Sequence, residues 1–120
     1  MKFSMLVFSL ALVLGIASLA NQSFAQTQQS ELVRVIKSGA FLVDVRTPQE
    51  FAAGSVKGAV NIPLDQIEQK LSLFKDKKSI VLFCRSGGRS SQAKTILERN
   101  KIKNIFNGGT WMDVKNIVGK

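Results

Sequence analysis

The run Cys84-Arg85-Ser86-Gly87-Gly88-Arg89-Ser90 carries the only cysteine in this chain of 120 residues. An apolar stretch, Ser79 to Phe83, precedes it, and a helical pattern follows from Ser90. A strand would thus deliver one thiol into a glycine-bearing loop that opens at a helix N-terminus. Backbone N–H groups, the helix dipole and the guanidinium groups of Arg85 and Arg89 would all favour negative charge there. A thiol so placed ionises readily and gathers anions around itself. The bland alternative is an inert cysteine closing a buried strand, but arginines and paired glycines make a poor apolar wall. Cys84 is the expected nucleophile.

The chain has no histidine and no tyrosine. Cys–His proteases, Ser–His–Asp hydrolases and histidine-based metal sites are therefore excluded. Chemistry at Cys84 must proceed without an imidazole base, which favours attack by a thiolate on a bond whose leaving group needs little proton assistance. A single cysteine also leaves no partner for an intramolecular disulfide or for two-cysteine redox cycling. No cofactor and no metal are expected.

The elements that must position this thiol follow from periodicity. Lys2 followed by the apolar run Met5 to Ala20 and by Ser23-Phe24-Ala25 reads as a cleaved leader, residues 1–25, so the mature chain is expected to begin at Gln26 and to be periplasmic or secreted. Residues 26–120 are then about the size of one ordinary domain. Gln26 to Ser30 reads as a frayed polar tail, and Glu31 to Ser38 as a helix ended by Gly39. Ala40 to Val45 is a continuous apolar run broken only by Asp44, the pattern of a buried parallel strand. Thr47 is placed to cap a short helix with Pro48 at its first position and Glu50 in its first turn. Ala59 to Pro63 is a short strand.

Leu64, Ile67, Leu71 and Phe74 mark a helix, and Ala93, Ile96 and Leu97 are the buried face of another over Ser90 to Asn100. Lys103 to Phe106 is a last strand, after which Asn107-Gly108-Gly109 reads as a turn into a weaker element containing Trp111. Strands alternating with helices indicate an α/β domain with a mainly parallel central sheet flanked by helices. Ligands of such sheets sit beyond the carboxyl ends of the strands, where Cys84 on one strand and Asp44 and Arg46 on another would lie.

The charge balance is basic, 17 Lys and Arg against 8 Asp and Glu. The lysines are scattered without the interleaved aromatics that stack bases, so nucleic acid is not an expected partner. No stable membrane anchor is expected once the leader is removed. A monomer is favoured, with the oligomeric state otherwise open.

Several segments together resemble a known family. Val43 to Phe51, then Gly54, then Gly58 to Pro63, look like the first signature of rhodanese-like domains. Val81 to Cys84 followed by Gly87-Gly88-Arg89-Ser90 looks like their active loop, and Asn107-Gly108-Gly109 with Trp111 looks like their closing motif. The match is ordered and spans nearly all of residues 26–120. It is similar to the small exported sulfurtransferases of the phage-shock E type. The chain departs from the pattern where Ser55 stands at a position commonly histidine, and where Trp111 follows Gly108-Gly109 unusually closely.

The resemblance implies one rhodanese-like domain whose cysteine accepts a sulfane sulfur and becomes a persulfide. The implied partners are a small anionic donor, thiosulfate or another persulfide, and a thiol or cyanide acceptor. Sulfite is a stable leaving anion, which accords with the absent histidine. Gly87 and Gly88 would let N–H groups converge on the sulfur. Arg85 would face the donor's sulfonate, Arg89 would pair with it or brace the loop, Ser86 would add a donor, and Ser90 would cap the helix. Asp44 and Arg46 would support the active-site side of the sheet or form a structural ion pair. A non-catalytic persulfide carrier needs the same loop. A cysteine-based phosphatase or arsenate reductase needs one more residue between cysteine and arginine than the four, Arg85 to Gly88, found here.

Overall fold

The computed structural model describes residues 24–120. The expected leader lies almost wholly outside the described residues. A helix, α1, covers residues 24–37. The polar stretch expected to fray is thus helical, since its glutamines lose little rotamer freedom in a helix. The elements that follow are β1 (Phe41–Asp44), α2 (Pro48–Ala53), β2 (Val60–Asn61), a 3₁₀ segment (Leu64–Leu73), β3 (Ile80–Cys84), α3 (Gly88–Arg99), β4 (Ile105–Thr110) and α4 (Trp111–Val118). Residues 32–120 form one compact unit.

The four strands make one sheet in the order β2-β1-β3-β4, every neighbouring pair parallel. β3 lies inside it, and all five of its residues are buried. Side chains alternate across a strand, so β3 feeds two cores. Ile80, Leu82 and Cys84 join Ile67 and Phe74 together with Ala93 and Leu97 of α3. Val81 and Phe83 join Val35 and Ile36 of α1 with Val114 and Ile117 of α4 on the opposite face. The sheet is covered on both sides, as a parallel sheet requires.

Two elements differ from expectation. Leu64 to Leu73 forms 3₁₀ turns rather than an α-helix, with a break at Lys70 (φ −123°, ψ 29°). Leu64 and Ile67 are three residues apart, a spacing that eclipses in a 3₁₀ helix and lets both apolar groups reach the core. Asn107-Gly108-Gly109 is not a turn but part of β4. Asn107 pairs with Leu82 and Gly109 with Phe83, leaving Gly108 as the extra residue of a bulge. A Cβ on Gly108 would stand 2.8 Å from a Val114 methyl and 3.0 Å from one of Val81, so only glycine lets α4 pack this closely.

Candidate active site

Strand β3 ends at Cys84, and the chain then turns through Arg85, Ser86 and Gly87 into α3. Gly87 is the N-cap of α3 and takes a left-handed conformation, φ 93°, which glycine adopts without steric cost. Gly88 does not have positive φ, so only the first of the two glycines is required by the turn. The reversal brings the Gly87 N–H to 3.0 Å from the Cys84 Sγ. The Ser90 hydroxyl lies 3.5 Å from the same sulfur.

Cys84 has no solvent exposure, and burial by itself pushes its thiol pKa up. Hydrogen bonds from the Ser90 hydroxyl and from the backbone N–H groups of Ser90, Ser86 and Gly87 outweigh that and hold it below the ordinary thiol value. The cover over the sulfur is the loop itself, with Arg85, Ser86 and Gly88 exposed.

The two arginines have separate positions. Arg85 is exposed and, among the described residues, makes no hydrogen bond or ion pair. Its guanidinium is available to an anion. Arg89 instead forms a two-pronged pair with Glu50 of α2, 2.6 Å and 3.1 Å. Glu50 at the same time closes a capping box with Thr47 at the start of α2, a six-residue helix that buries none of its own side chains. The Arg89 bonds, followed by those from Thr47, pull the Glu50 carboxyl down to about 2. Arg89 therefore braces the loop against α2.

Ser90 is a correction to the sequence reading. It does not cap α3, because Gly87 occupies that position. Its hydroxyl is buried and turned toward the sulfur, the Gly87 carbonyl at 3.1 Å and the Asn107 amide oxygen at 2.7 Å. Asn107 also donates to the Gly87 carbonyl at 3.2 Å and accepts from the Gly109 N–H at 2.9 Å. The loop is thereby tied to β4.

Asp44 and Arg46 also lie near this end of the sheet, but their side chains meet neither the sulfur nor the loop. Val43 and Val45 point into the core that contains Cys84, so Asp44 between them points to the opposite face. Its carboxylate accepts from the Arg46 Nε at 2.9 Å and Nη2 at 2.7 Å, and from the Ser55 hydroxyl at 2.7 Å. Arg46 donates further to the Gly54 carbonyl at 2.7 Å and lies over the Trp111 ring, 4.8 Å from its centroid. The pair holds the loop after α2 and the start of α4. Ser55, the departure noted in the sequence, supplies a donor to Asp44, and Trp111 packs.

A cleft of about 540 Å³ opens between the 3₁₀ segment and α3. Arg89, Gln92 and Ile96 line one side, Leu64 and Glu68 the other. Cys84 is not on its wall. Glu50, Asn107 and Ser55 were not singled out as site residues by the sequence. The Thr47-x-x-Glu50 spacing was visible there, but only the fold brings Glu50 to Arg89.

Residues 28–111 match the family model described as rhodanese-like domain. An uncharacterized protein of Bacillus subtilis is 34% identical over 104 residues, covering 86% of this chain and 82% of that protein. The thiosulfate sulfurtransferase PspE of Escherichia coli is 34% identical over 74 residues, 60% of this chain and 71% of the relative. Among solved structures, the human single-domain sulfurtransferase superposes with a TM-score of 0.61 at 31% identity, covering 70% of this chain and 88% of that one. The four-stranded parallel sheet flanked by helices agrees with these matches in fold: the chain belongs to the rhodanese-like domain family, and its relatives support sulfurtransferase-type activity.

Proposed function

We propose that the protein is a sulfurtransferase that carries a sulfane sulfur from thiosulfate, or from another persulfide donor, through Cys84 to a thiol or cyanide. The observation that carries this reading is the convergence of the Gly87 N–H and the Ser90 hydroxyl on a thiol of lowered pKa, beside an arginine with no partner among the described residues.

In the first half-reaction the Cys84 thiolate attacks the outer sulfur of thiosulfate. A new S–S bond forms at Cys84, the donor's S–S bond breaks, and its electron pair leaves with sulfite. No proton need be supplied to that leaving group. Arg85 meets the donor's sulfonate oxygens, the role its charge and exposure suit. Arg89, engaged by Glu50, keeps the loop's shape rather than meeting the donor. A persulfide is more acidic than a thiol, so its outer sulfur is negative at neutral pH, and the loop's N–H donors favour that charge. In the second half-reaction the acceptor attacks the outer sulfur and the Cys84 thiolate departs, giving thiocyanate from cyanide or a persulfide from a thiol.

Incubation with thiosulfate should add the mass of one sulfur atom to the protein, and cyanide should remove it. Cys84→Ser should fold and gain nothing. A wild-type protein that accepts no sulfur from thiosulfate or from any persulfide donor refutes the reading. Loading by a protein persulfide but not by thiosulfate identifies a carrier, and release of phosphate from aryl phosphates identifies the phosphatase alternative. On the leader-like sequence alone we place the protein outside the cytoplasm, and protein recovered from the producing cell should begin at Gln26.

A further inference from the structure

Three acceptors compete for one proton behind the nucleophile. The Ser90 hydroxyl has a single hydrogen and three acceptors within reach: the Asn107 Oδ1 at 2.7 Å, the Gly87 carbonyl at 3.1 Å and the Cys84 Sγ at 3.5 Å. The orientation of the Asn107 amide is settled by its neighbours. The Gly109 N–H, 2.9 Å away, can be met only by an oxygen, and the Gly87 carbonyl, 3.2 Å from Nδ2, only by an N–H. Asn107 therefore presents an acceptor to Ser90 and has no means of donating to it at that atom. Ser90 is fully buried, so bulk water does not offer it an alternative partner, whereas Asn107 stands at the surface.

We propose that Asn107 is a positioning residue for Cys84, acting through the Ser90 proton, which rests on Asn107 while the sulfur is uncharged and turns to Sγ when it is a thiolate. With a neutral thiol the S–H donates to Ser90 and Ser90 donates to Asn107, an unbroken chain. Loss of the thiol proton removes the donor at the sulfur end, and Ser90 must rotate to satisfy the new charge, giving up its shortest bond. Capture of a sulfur atom moves the charge from Sγ to the outer sulfur, and the Ser90 proton returns to Asn107. The rotor thus follows the charge on Sγ through each half of the cycle, and Asn107 sets how much the thiolate gains from Ser90. The use of this device in turnover rests on the sulfur-transfer reading; its existence does not.

Other charged groups lie on the elements packed around the thiol without touching Ser90 or Asn107. They are Arg85 of the loop, Arg89 of α3 bound to Glu50 of α2, Asp44 of β1 bound to Arg46, Asp65 and Glu68 of the 3₁₀ segment beside the cleft, and Asp113 in the first turn of α4.

The test is the pH dependence of Cys84 alkylation by iodoacetamide in the full chain, compared among wild type, Asn107→Leu, Ser90→Ala and the double variant. Asn107→Leu removes the competing acceptor at similar size, so the midpoint should fall by roughly half a pH unit to one unit, the size expected of one hydrogen bond to the charged form. Ser90→Ala should raise the midpoint, and in that background Asn107→Leu should leave it where it is. Asn107→Asp, of the same size but a stronger acceptor, should raise the midpoint more with Ser90 present than in the Ser90→Ala background. That comparison cancels the direct effect of the added charge and stands if the leucine variant fails to fold. An unchanged midpoint in Asn107→Leu, or shifts of equal size in both backgrounds, overturns the proposal. The readout needs no sulfur donor, so it succeeds or fails independently of the activity.

Discussion

Replacing Asp44 by Asn tests whether the buried ion pair belongs to the chemistry or to the scaffold. The substitution keeps the shape and removes the charge that faces Arg46, whose side chain is only 5% exposed against 0% for Asp44. Leaving a buried guanidinium without its carboxylate costs about 3–5 kcal/mol. Arg46 retains its bond to the Gly54 carbonyl and its place over Trp111, a cation–π contact that contributes about 0.5–2 kcal/mol. The expected loss is therefore near the lower bound, about 3 kcal/mol. For a domain of this size that lowers the melting temperature by roughly 12–24 °C.

Urea denaturation followed by intrinsic fluorescence measures the loss, with a lower midpoint and an unchanged slope. The sulfur-loading rate, taken at low temperature on protein shown to be folded, should stay within about twofold of wild type, because Asp44 faces away from Cys84 across the sheet. A variant of near-native stability that loads sulfur tenfold more slowly would refute this account and move Asp44 into the site.

The other predictions concern the loop and its supports. Arg85→Ala should weaken capture of thiosulfate at least tenfold while leaving stability within about 0.5 kcal/mol, since Arg85 is exposed and without a partner among the described residues; thiosulfate titration and melting check the two parts. Glu50 has its carboxyl lowered from 4.5 to about 2. It thus contributes stability that is complete above pH 4.5 and is lost as the pH falls toward 2. Glu50 is partly exposed, so solvent screening keeps this contribution to about 1 kcal/mol. Glu50→Gln should flatten the acid limb of the stability profile, and an unaltered limb would contradict the pairing with Arg89. Gly108→Ala should destabilise the domain by about 1–3 kcal/mol through overpacking against Val114 and Val81, with partial rescue by Val114→Ala in a denaturation series.

Local chemistry makes much of this protein legible in its sequence. Thr47-Pro48-x-Glu50 forms the capping box its spacing announces, because the box closes within one turn. The apolar run before Cys84 is a strand buried along its whole length, as expected for the interior of a parallel sheet. What escaped the sequence depends on contacts across the fold. Apolar spacing at Leu64 and Ile67 is compatible with two helix types, and the core they had to reach selected 3₁₀. Two glycines after Asn107 are the pattern of a turn, and only the approach of Val114 and Val81 to Gly108 makes them a bulge within β4.

The sequence by itself was enough to single out Cys84 as the candidate nucleophile and to point to the family, because a lone thiol at a strand end before a glycine-opened helix is a local arrangement. It also determined that no imidazole takes part. The tertiary structure decided which side chains serve the sulfur and which serve the fold. Strand alternation sends Asp44 to the face opposite Cys84. Glu50, 39 residues away from Arg89 in the chain, engages that arginine, whereas Arg85 has no partner among the described residues. The left-handed turn at Gly87 makes that residue the cap and turns Ser90 inward, where it meets both the sulfur and Asn107. Partners this far apart in sequence carry no local signal; packing alone brings them together.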